Sequence, residues 1–418
     1  MNTSTQDPNS PIIDLNASRV CGDLLEQTLR TGAQRMLQCA IEEEVSQYIQ
    51  AHGEHLDENG HRLVRRNGRK PSRELQTPLG NITVQQPRVD DRREGHQFTS
   101  NLLPRYLRRV ASLENLIPAL YLRGVSTNNM RPALEAILGD QAHGLSPANV
   151  TRMCSIWEDQ MKQWQQRSLE GKRYVYLWAD GIYFNVRLED QRPCVLVIVG
   201  ALEDGTKELA GLYDGQRESK LSWRELLSDL KKRGLTQAPK LAVGDGALGF
   251  WAALEEEYPS TGHQRCRVHK TANVLDKMAR SVHPAAKRMI HDIYLAPTRK
   301  AAQRAWKEFL KLYQVKYPKA CACLEKDREA LMTFYDFPAE HGSHLRTTNP
   351  IESTFAGVRH RTRQTKGCGS RTTTLSMVFQ LIMQAQKRWR RLNGARQLDK
   401  LIAGVLFIDG EEQKQKAA

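Results

Sequence analysis

The chain has 418 residues, of which 40% are hydrophobic, so it is long enough for two or three domains with a sizeable buried core. Its 62 lysines and arginines exceed its 47 acidic residues, and the net charge of +15 favours nucleic acid or an anionic membrane as partner. No apolar run approaches the roughly 18 residues of a membrane span, and no secretory signal is visible. The eight scattered cysteines indicate a reducing interior, so we expect a cytoplasmic protein without a membrane partner.

The N-terminal third predicts a small, mainly helical region. Residues 1–15 are polar and predict a disordered tail. Apolar residues recur at helical spacing over 17–50 and predict an amphipathic helix or helix pair. A basic loop and then a hairpin over 73–86 complete a predicted region spanning 16–110. The basic loop either contacts DNA phosphates or is a solvated surface. Its candidate phosphate-binding residues are Arg65, Arg66 and Arg69.

Residues 111–170 predict several helices. A glycine-containing turn precedes Ser146-Pro147, which are suited to the N-cap and first turn of a further helix. This arrangement is compatible with a helix-turn-helix, although any helical bundle would produce a similar pattern. The candidate DNA-reading residues are Asn149, Thr151 and Arg152.

Residues 171–270 change to an α/β pattern. Strands over 173–179, 182–188 and 194–201 predict an antiparallel meander, with Asp180-Gly181 as the turn between the first two. A helix over 218–233, a strand over 240–244, a helix over 247–257 and a strand over 263–268 follow. The order predicts a mixed sheet of the ribonuclease-H-like kind.

The rest of the chain predicts helices. Residues 271–342 predict only helices and follow the α/β segment. Residues 343–400 would return to it with two basic helices, and 401–418 would be a tail.

Three acids form the candidate active site. Asp180 and Asp245 each end a hydrophobic strand and precede a glycine, and either could instead be a turn former. Glu352 opens a basic helix. Converging carboxylates repel one another unless cations neutralise them, and oxygen ligands select Mg²⁺ or Mn²⁺ rather than zinc. Two such ions about 4 Å apart catalyse phosphodiester cleavage in many enzymes.

The surroundings of Glu352 favour a metal ligand beside DNA. From residue 346 to 396 there are eleven lysines and arginines and no acid other than Glu352. The alternative is a glutamate that only interacts with the helix dipole. On the metal-ligand interpretation the basic helix binds the DNA backbone, and its candidate contacts are Arg359, Arg361, Arg363 and Lys366.

Five segments together resemble the Mutator-type transposases of bacterial insertion sequences, over about residues 30–400. They are YVYLWADGIYFNVR, LAVGDGALGFWAAL, HQRCRVHKTANV, YPKACACLEKDREALMTFYDFP and LRTTNPIEST. The resemblance implies a ribonuclease-H-like catalytic domain of the DDE class, in which Asp180, Asp245 and Glu352 are the acidic triad that holds two Mg²⁺ ions and residues 271–342 are an all-α insertion. It also implies an N-terminal region that binds terminal inverted repeats, and a nucleoid-associated protein.

Cys266 and His269 match the family's Cys-x-x-His signature. Cys-x-x-His is half of a zinc site, which two further ligands such as His341 and His344 would have to complete. We favour a core-facing pair that braces the catalytic strand near the site.

The resulting hypothesis is a DNA transposase that cuts the ends of its element and joins them to target DNA, acting as a dimer or larger assembly. One rival is a ribonuclease-H-like nuclease that cleaves without joining. The other is a non-catalytic DNA-binding regulator that kept the fold of a transposase.

Overall fold

A computed structural model of the chain describes residues 15–126, 129–130, 132–134, 147–184, 194–215, 217–364 and 370–413. The chain divides into two compact units, Met1–Val150 and Thr151–Ala418. Each is described by itself below. Across the described residues, none of the helices combines the length and the apolar character needed to cross a bilayer.

The first unit is built on one long helix, α1 (Leu15–Ala51), as the apolar spacing predicts. Four short strands follow in two antiparallel pairs, and then helix α2. The pairs are β1 (Val64–Arg69) with β4 (Pro87–Asp91), and β2 (Arg73–Thr77) with β3 (Gly80–Val84). Ile41 of α1, Val84 and Leu103 are buried together and form a small core. Helix α2 spans Ala111–Leu122.

The predicted basic loop is wrong in one respect, because residues 64–69 form strand β1. Strand β4 and helix α1 each supply an acid to this basic strand: Arg65 lies 3.3 Å from Asp90 of β4, and Arg69 lies 2.8 Å from Glu42 of α1. The predicted hairpin is confirmed as β2 and β3, with Thr77 paired to Gly80 across a two-residue turn.

Helix α3 (Pro147–Gln165) begins at the proline that the sequence places in a first turn. The segment before it, residues 135–146, lies outside the described residues. The helix-turn-helix therefore stays a prediction.

The second unit is organised on a five-stranded mixed sheet in the order β7-β6-β5-β8-β9. β5 (Tyr174–Tyr183), β6 (Cys194–Leu202) and β7 (Lys207–Gly215) form an antiparallel meander, and β8 (Leu241–Gly244) and β9 (Gly262–Arg265) run parallel to β5. Helices α4 (Lys220–Lys232) and α5 (Leu248–Glu257) cover one face. Their buried side chains, including Trp223, Leu227 and Leu254, pack on Leu177 and Ala179 of β5.

The meander differs from the predicted one. Asp180 and Gly181 do not form a turn: both lie inside β5 and pair with Val197 and Leu196 of β6. Residues 182 and 183 belong to β5, so the separate strand predicted over 182–188 is wrong for these two residues. Residues 185–193 lie outside the described part. The third strand of the meander is β7, which the sequence analysis missed because its glycine and charged residues mask the strand pattern.

Helices fill the rest of the second unit. They are α6 (Arg267–Leu275), α7 (His283–Leu295), α8 (Arg299–Tyr313), α9 (Pro318–Glu325), α10 (Arg328–Met332), α11 (Gly342–Leu345), α12 (Asn349–Gln364), α13 (Arg371–Gln386) and α14 (Leu398–Ile402). The predicted tail is ordered to residue 413, with a hairpin of β10 (Phe407–Ile408) and β11 (Glu411–Glu412). This hairpin is anchored because Gly410 exchanges backbone hydrogen bonds with Tyr335 and Ala339.

Candidate active site

The strand register brings the two candidate aspartates together. Ala179 of β5 pairs in parallel register with Gly244 of β8, so Asp180 and Asp245 occupy the next position on each chain. Neighbouring strands lie about 4.8 Å apart, and paired positions point to the same face. The two carboxylates therefore meet at the carboxyl end of β8, where ligands gather in open α/β sheets.

Asp180 is buried, with 7% of its surface exposed. Its Oδ1 accepts a hydrogen bond of 2.9 Å from the Gly181 N–H. Burial first, and then the Asp245 carboxylate, raise the pKa of Asp180 to about 7, and Glu352 adds to the rise. A raised pKa is the direction expected for a carboxylate that is shielded from water and lies close to other negative charges.

Glu352 reaches the same site from the first turn of α12. Its Oε1 accepts a hydrogen bond of 2.7 Å from the Thr348 hydroxyl and lies 3.6 Å from Nδ1 of His269. The Cys266 sulfur raises the pKa of His269 to about 9 against the opposing effect of burial, and the Asp180 and Glu352 carboxylates contribute to the rise. Asp180 and Glu352 thus share His269 as a neighbour.

Cys266 lies where β9 ends and α6 begins, and it is fully buried. Its sulfur accepts a hydrogen bond of 3.4 Å from the Thr348 N–H, and it lies 3.4 Å from the Thr348 hydroxyl oxygen, whose proton is donated to Glu352. Burial alone would raise the pKa of the Cys266 thiol, but hydrogen bonds from His269 and Thr348 lower it below its usual range. Cys266 is therefore linked through Thr348 to the glutamate of the site.

The zinc ligands considered from the sequence are engaged elsewhere. His341 makes contacts of 2.7 Å with the Tyr176 hydroxyl and 3.0 Å with the Gly394 carbonyl, and His344 lies 3.2 Å from Nζ of Lys207. Among the described residues, the ligand atoms of Cys266, His269 and Glu352 do lie within 4.8 Å of one another. That mixed set of three donors was not expected from the sequence, which offered no reason to add Glu352 to the Cys-x-x-His pair.

A fourth acid, Glu218, was missed by the sequence analysis. It lies just before α4, and burial, followed by the Asp245 and Asp180 carboxylates, raises its pKa to about 7. A glutamate in the polar run before a helix is common, so no local pattern distinguishes it. The glycine at position 181, which lies against its side chain, is the only sequence signal that could have identified it.

The chain was also compared with known proteins. A family model described as Transposase, Mutator family matches residues 10–392. The chain belongs to the Mutator family of transposases. The transposase for insertion sequence element IST2 of Acidithiobacillus ferrooxidans is 51% identical over 288 residues, which are 67% of this chain and 95% of that protein. The transposase for IS6120 of Mycolicibacterium smegmatis is 49% identical, over 71% of this chain and 92% of that protein.

A more distant relative matches a larger part of this Mutator-family transposase. The transposase for ISRM5 of Rhizobium meliloti (strain 1021) is 30% identical over 91% of this chain and 92% of its own length. The resemblance expected from the five sequence segments is therefore confirmed for the family.

The predicted DNA contacts on and just after α12 of this transposase differ in their exposure to solvent, and two of them have no described side chain. Arg359 is exposed, with its guanidinium carbon 5.9 Å from the Phe355 ring centre. Arg361 is 2% exposed, so its prediction as a DNA contact is wrong for this conformation: it faces the interior of the unit. The side chain of Arg363 and the whole of Lys366 lie outside the described residues.

The predicted DNA contacts nearer the N-terminus are mostly at the surface. Arg65, Arg66 and Arg69 are exposed on β1, and Thr151 and Arg152 are exposed on α3. The side chain of Asn149 is outside the described part. The sequence analysis missed a basic cleft in the first unit, which is lined by Arg73, Glu74, Gln76, Asn81, Arg105, Tyr106, Arg108 and Arg109. Tyr106 is 83% exposed there, beside Arg105.

Proposed function

We propose that this transposase cuts the ends of its insertion sequence and joins them to target DNA at one site formed by Asp180, Asp245 and Glu352. The observation that carries the proposal is the convergence of these acids from three separate elements, a middle strand, the end of its parallel neighbour and the first turn of α12. Burial first, and then repulsion from Asp245 and Glu352, raise the pKa of Asp180, and a divalent cation would relieve that repulsion.

The catalytic unit is proposed to be ribonuclease-H-like and of the DDE class. The support is the strand order β7-β6-β5-β8-β9, with the first three strands antiparallel and the last two parallel to β5. Helices α7 to α10 follow the second aspartate and precede the glutamate, where the family resemblance implies an all-α insertion.

The donor set fits Mg²⁺ or Mn²⁺. Asp180, Asp245, Glu218 and Glu352 offer only oxygen ligands, and the buried Nδ1 of His269 makes no hydrogen bond among the described residues. When bound, two such ions would activate an attacking oxygen and stabilise the leaving oxygen. Structural zinc on Cys266, His269 and Glu352 is disfavoured, because a closed zinc site needs a fourth ligand and the candidates His341 and His344 are engaged elsewhere.

The chain's own residues then act in two successive displacements. The aspartates orient a water against a phosphodiester at the element end, so that the bond to the 3′ oxygen breaks and a 3′-hydroxyl is freed. The same carboxylates next orient that hydroxyl in line with a target phosphate, and the new phosphodiester forms as the target strand breaks. Thr348 holds Glu352 in place during both steps.

The proposed partners are the terminal inverted repeats, the target DNA and a second copy of the chain. The excess of positive charge and the exposed Arg359, which lies on the same helix as Glu352, support DNA contact near the site. The basic cleft of the first unit supports a further DNA surface, and two element ends require at least two catalytic sites.

The test is a two-step assay with purified protein and Mg²⁺. A donor plasmid carries the gene's flanking DNA, and a second reaction supplies pre-cut ends with a target plasmid. We expect the wild type to cleave and to join. Asp180→Asn, Asp245→Asn and Glu352→Gln should each lose more than about 100-fold in both reactions, since even outer-shell partners of a metal cost about 10–100-fold.

The control is Glu225→Gln, which removes an exposed acid of the same unit and should leave both reactions unchanged. Wild-type cleavage with no joining of pre-cut ends would favour the nuclease. Full activity of all three acid variants would overturn the assignment of the site.

A further inference from the structure

We infer that Glu218 is a fourth carboxylate of the cation site, and that Gly181 is a glycine because it lets that carboxylate reach the site. This inference rests on the proposed function. It adds a residue that lies outside the three motifs carrying the acidic triad.

The two faces of β5 have different neighbours, and for this reason Glu218 and Glu352 come to the site from different elements. Side chains alternate along a strand. Tyr176 and Trp178 contact His341 and His344, and Asp180 is the next residue on that face. Leu177 and Ala179 face the opposite way and pack on α4 and α5.

Glu218 approaches from the α4 side, since it lies just before the first residues of that helix. The strand position it meets is Gly181, the next residue on the α4 face. A Cβ atom at this position would lie 2.5 Å from both Cδ and Oε1 of Glu218, well inside contact distance. Any other residue at 181 would therefore displace the carboxylate.

The backbone at Gly181 does not itself require glycine. Its φ is outside the left-handed region, and it pairs with Leu196 as an ordinary strand residue. The close approach of Glu218 is the structural reason for the glycine.

The backbone at Glu218 is also held in place by close packing against helix α5. Gly249, in the first turn of α5, comes so close to the backbone that a Cβ there would lie 2.7 Å from the Lys220 nitrogen and 3.0 Å from the Glu218 carbonyl oxygen. The segment that follows Asp245 is thus packed on the segment that carries Glu218. The half-buried Glu218 side chain thus lies against the residue that follows Asp180, and its backbone lies against the segment that follows Asp245. Carboxylates gathered in this way repel one another unless a cation is shared.

The experiment measures Mn²⁺ binding to the full-length protein without DNA, by calorimetry and by the Mn²⁺ electron paramagnetic resonance signal. Glu218→Gln keeps the shape of the side chain and should weaken Mn²⁺ binding by about 10-fold or more. Gly181→Ala should weaken it similarly, because the new methyl group displaces the carboxylate. Glu218→Asp should restore part of the affinity, whereas Glu225→Gln, which removes the same charge from exposed surface, should bind as the wild type does.

Two further outcomes separate this inference from the proposed function. Wild-type Mn²⁺ affinity in Glu218→Gln, together with loss of binding in Asp180→Asn, would overturn the role of Glu218 and leave the triad intact. Wild-type affinity in Asp180→Asn would overturn both. If Gly181→Ala does not fold, the Glu218→Gln and Glu218→Asp pair still decides the question.

Discussion

At the scale of single residues, Thr348 links the parts of the site. Its N–H donates to the Cys266 sulfur, and its hydroxyl donates to Glu352 while lying 3.4 Å from the same sulfur. Cys266 is therefore linked to Glu352 through Thr348, whereas the bracing of the catalytic strand by the Cys-x-x-His pair stays a prediction. The sequence could not identify Thr348, because a threonine before an Asn-Pro helix start has no pattern of its own.

We predict that Cys266→Ala lowers the free energy of unfolding by about 1–3 kcal/mol, because the buried Thr348 N–H loses its acceptor. Urea unfolding followed by tryptophan fluorescence measures this, since all seven tryptophans lie in the second unit. Cys266→Ser keeps an acceptor and should lose less. Equal losses in the two variants would contradict the role given to the sulfur.

At the scale of elements, helix α12 presents different faces to solvent and to the core. Arg359 is exposed and Arg361 is buried two residues further on, because residues two apart on a helix point about 200° away from each other. Counting basic residues predicted the helix as a DNA contact but could not separate these two arginines. The separation depends on how α12 packs, which is tertiary information.

The two arginines should therefore respond differently to replacement by alanine. Arg359→Ala should reduce the slope of log affinity for DNA against log salt by about one, with stability unchanged. Arg361→Ala should instead lose at least about 1 kcal/mol of unfolding free energy, since it removes a large buried side chain. Fluorescence anisotropy and urea unfolding measure the two quantities, and an unchanged stability of Arg361→Ala would contradict its burial.

In the first unit, the β1–β4 pair depends on Asp91. Its carboxylate accepts hydrogen bonds of 2.9 and 2.8 Å from the Arg93 guanidinium and one of 2.7 Å from the Tyr48 hydroxyl. The Arg93 hydrogen bonds hold the pKa of Asp91 well below its usual range. A lowered folded-state pKa stabilises the fold above the unfolded value of about 3.9, and this stabilisation is lost as the pH falls below it.

Asp91→Asn should accordingly lose about 1–3 kcal/mol at pH 7. The difference from the wild type should shrink at pH 3. Urea unfolding followed by far-ultraviolet circular dichroism is the appropriate measurement, because the first unit has no tryptophan. A difference that is equal at both pH values would contradict the ionic origin of the effect.

At the scale of the whole molecule, charge and family were the most predictable properties. The +15 charge and the spaced motifs gave DNA as partner and the Mutator family without any structure. The sheet was predicted less well: Asp180-Gly181 looks like a turn in the sequence, yet it continues as strand because β6 pairs with it on one side. Glu218 stayed hidden because its approach to Gly181 is a contact between distant segments.

The net charge predicts strongly salt-dependent binding to any duplex. If five or more phosphates are neutralised, the slope of log affinity against log salt should be steeper than about −4 for DNA without the element ends. Anisotropy titrations between 50 and 200 mM NaCl, probed with a random duplex, measure it. A slope shallower than about −1 would contradict an electrostatic mode of binding.

The most direct test of the central claim is anomalous diffraction from crystals of the transposase soaked in Mn²⁺, recorded at the manganese absorption edge. We predict a peak within about 2–2.5 Å of carboxylate oxygens of Asp180, Asp245 and Glu352. The same crystals of Asp180→Asn should lose it. A wild-type protein that holds manganese elsewhere, or that holds none at this edge of the sheet in the presence of element-end DNA, would contradict the account.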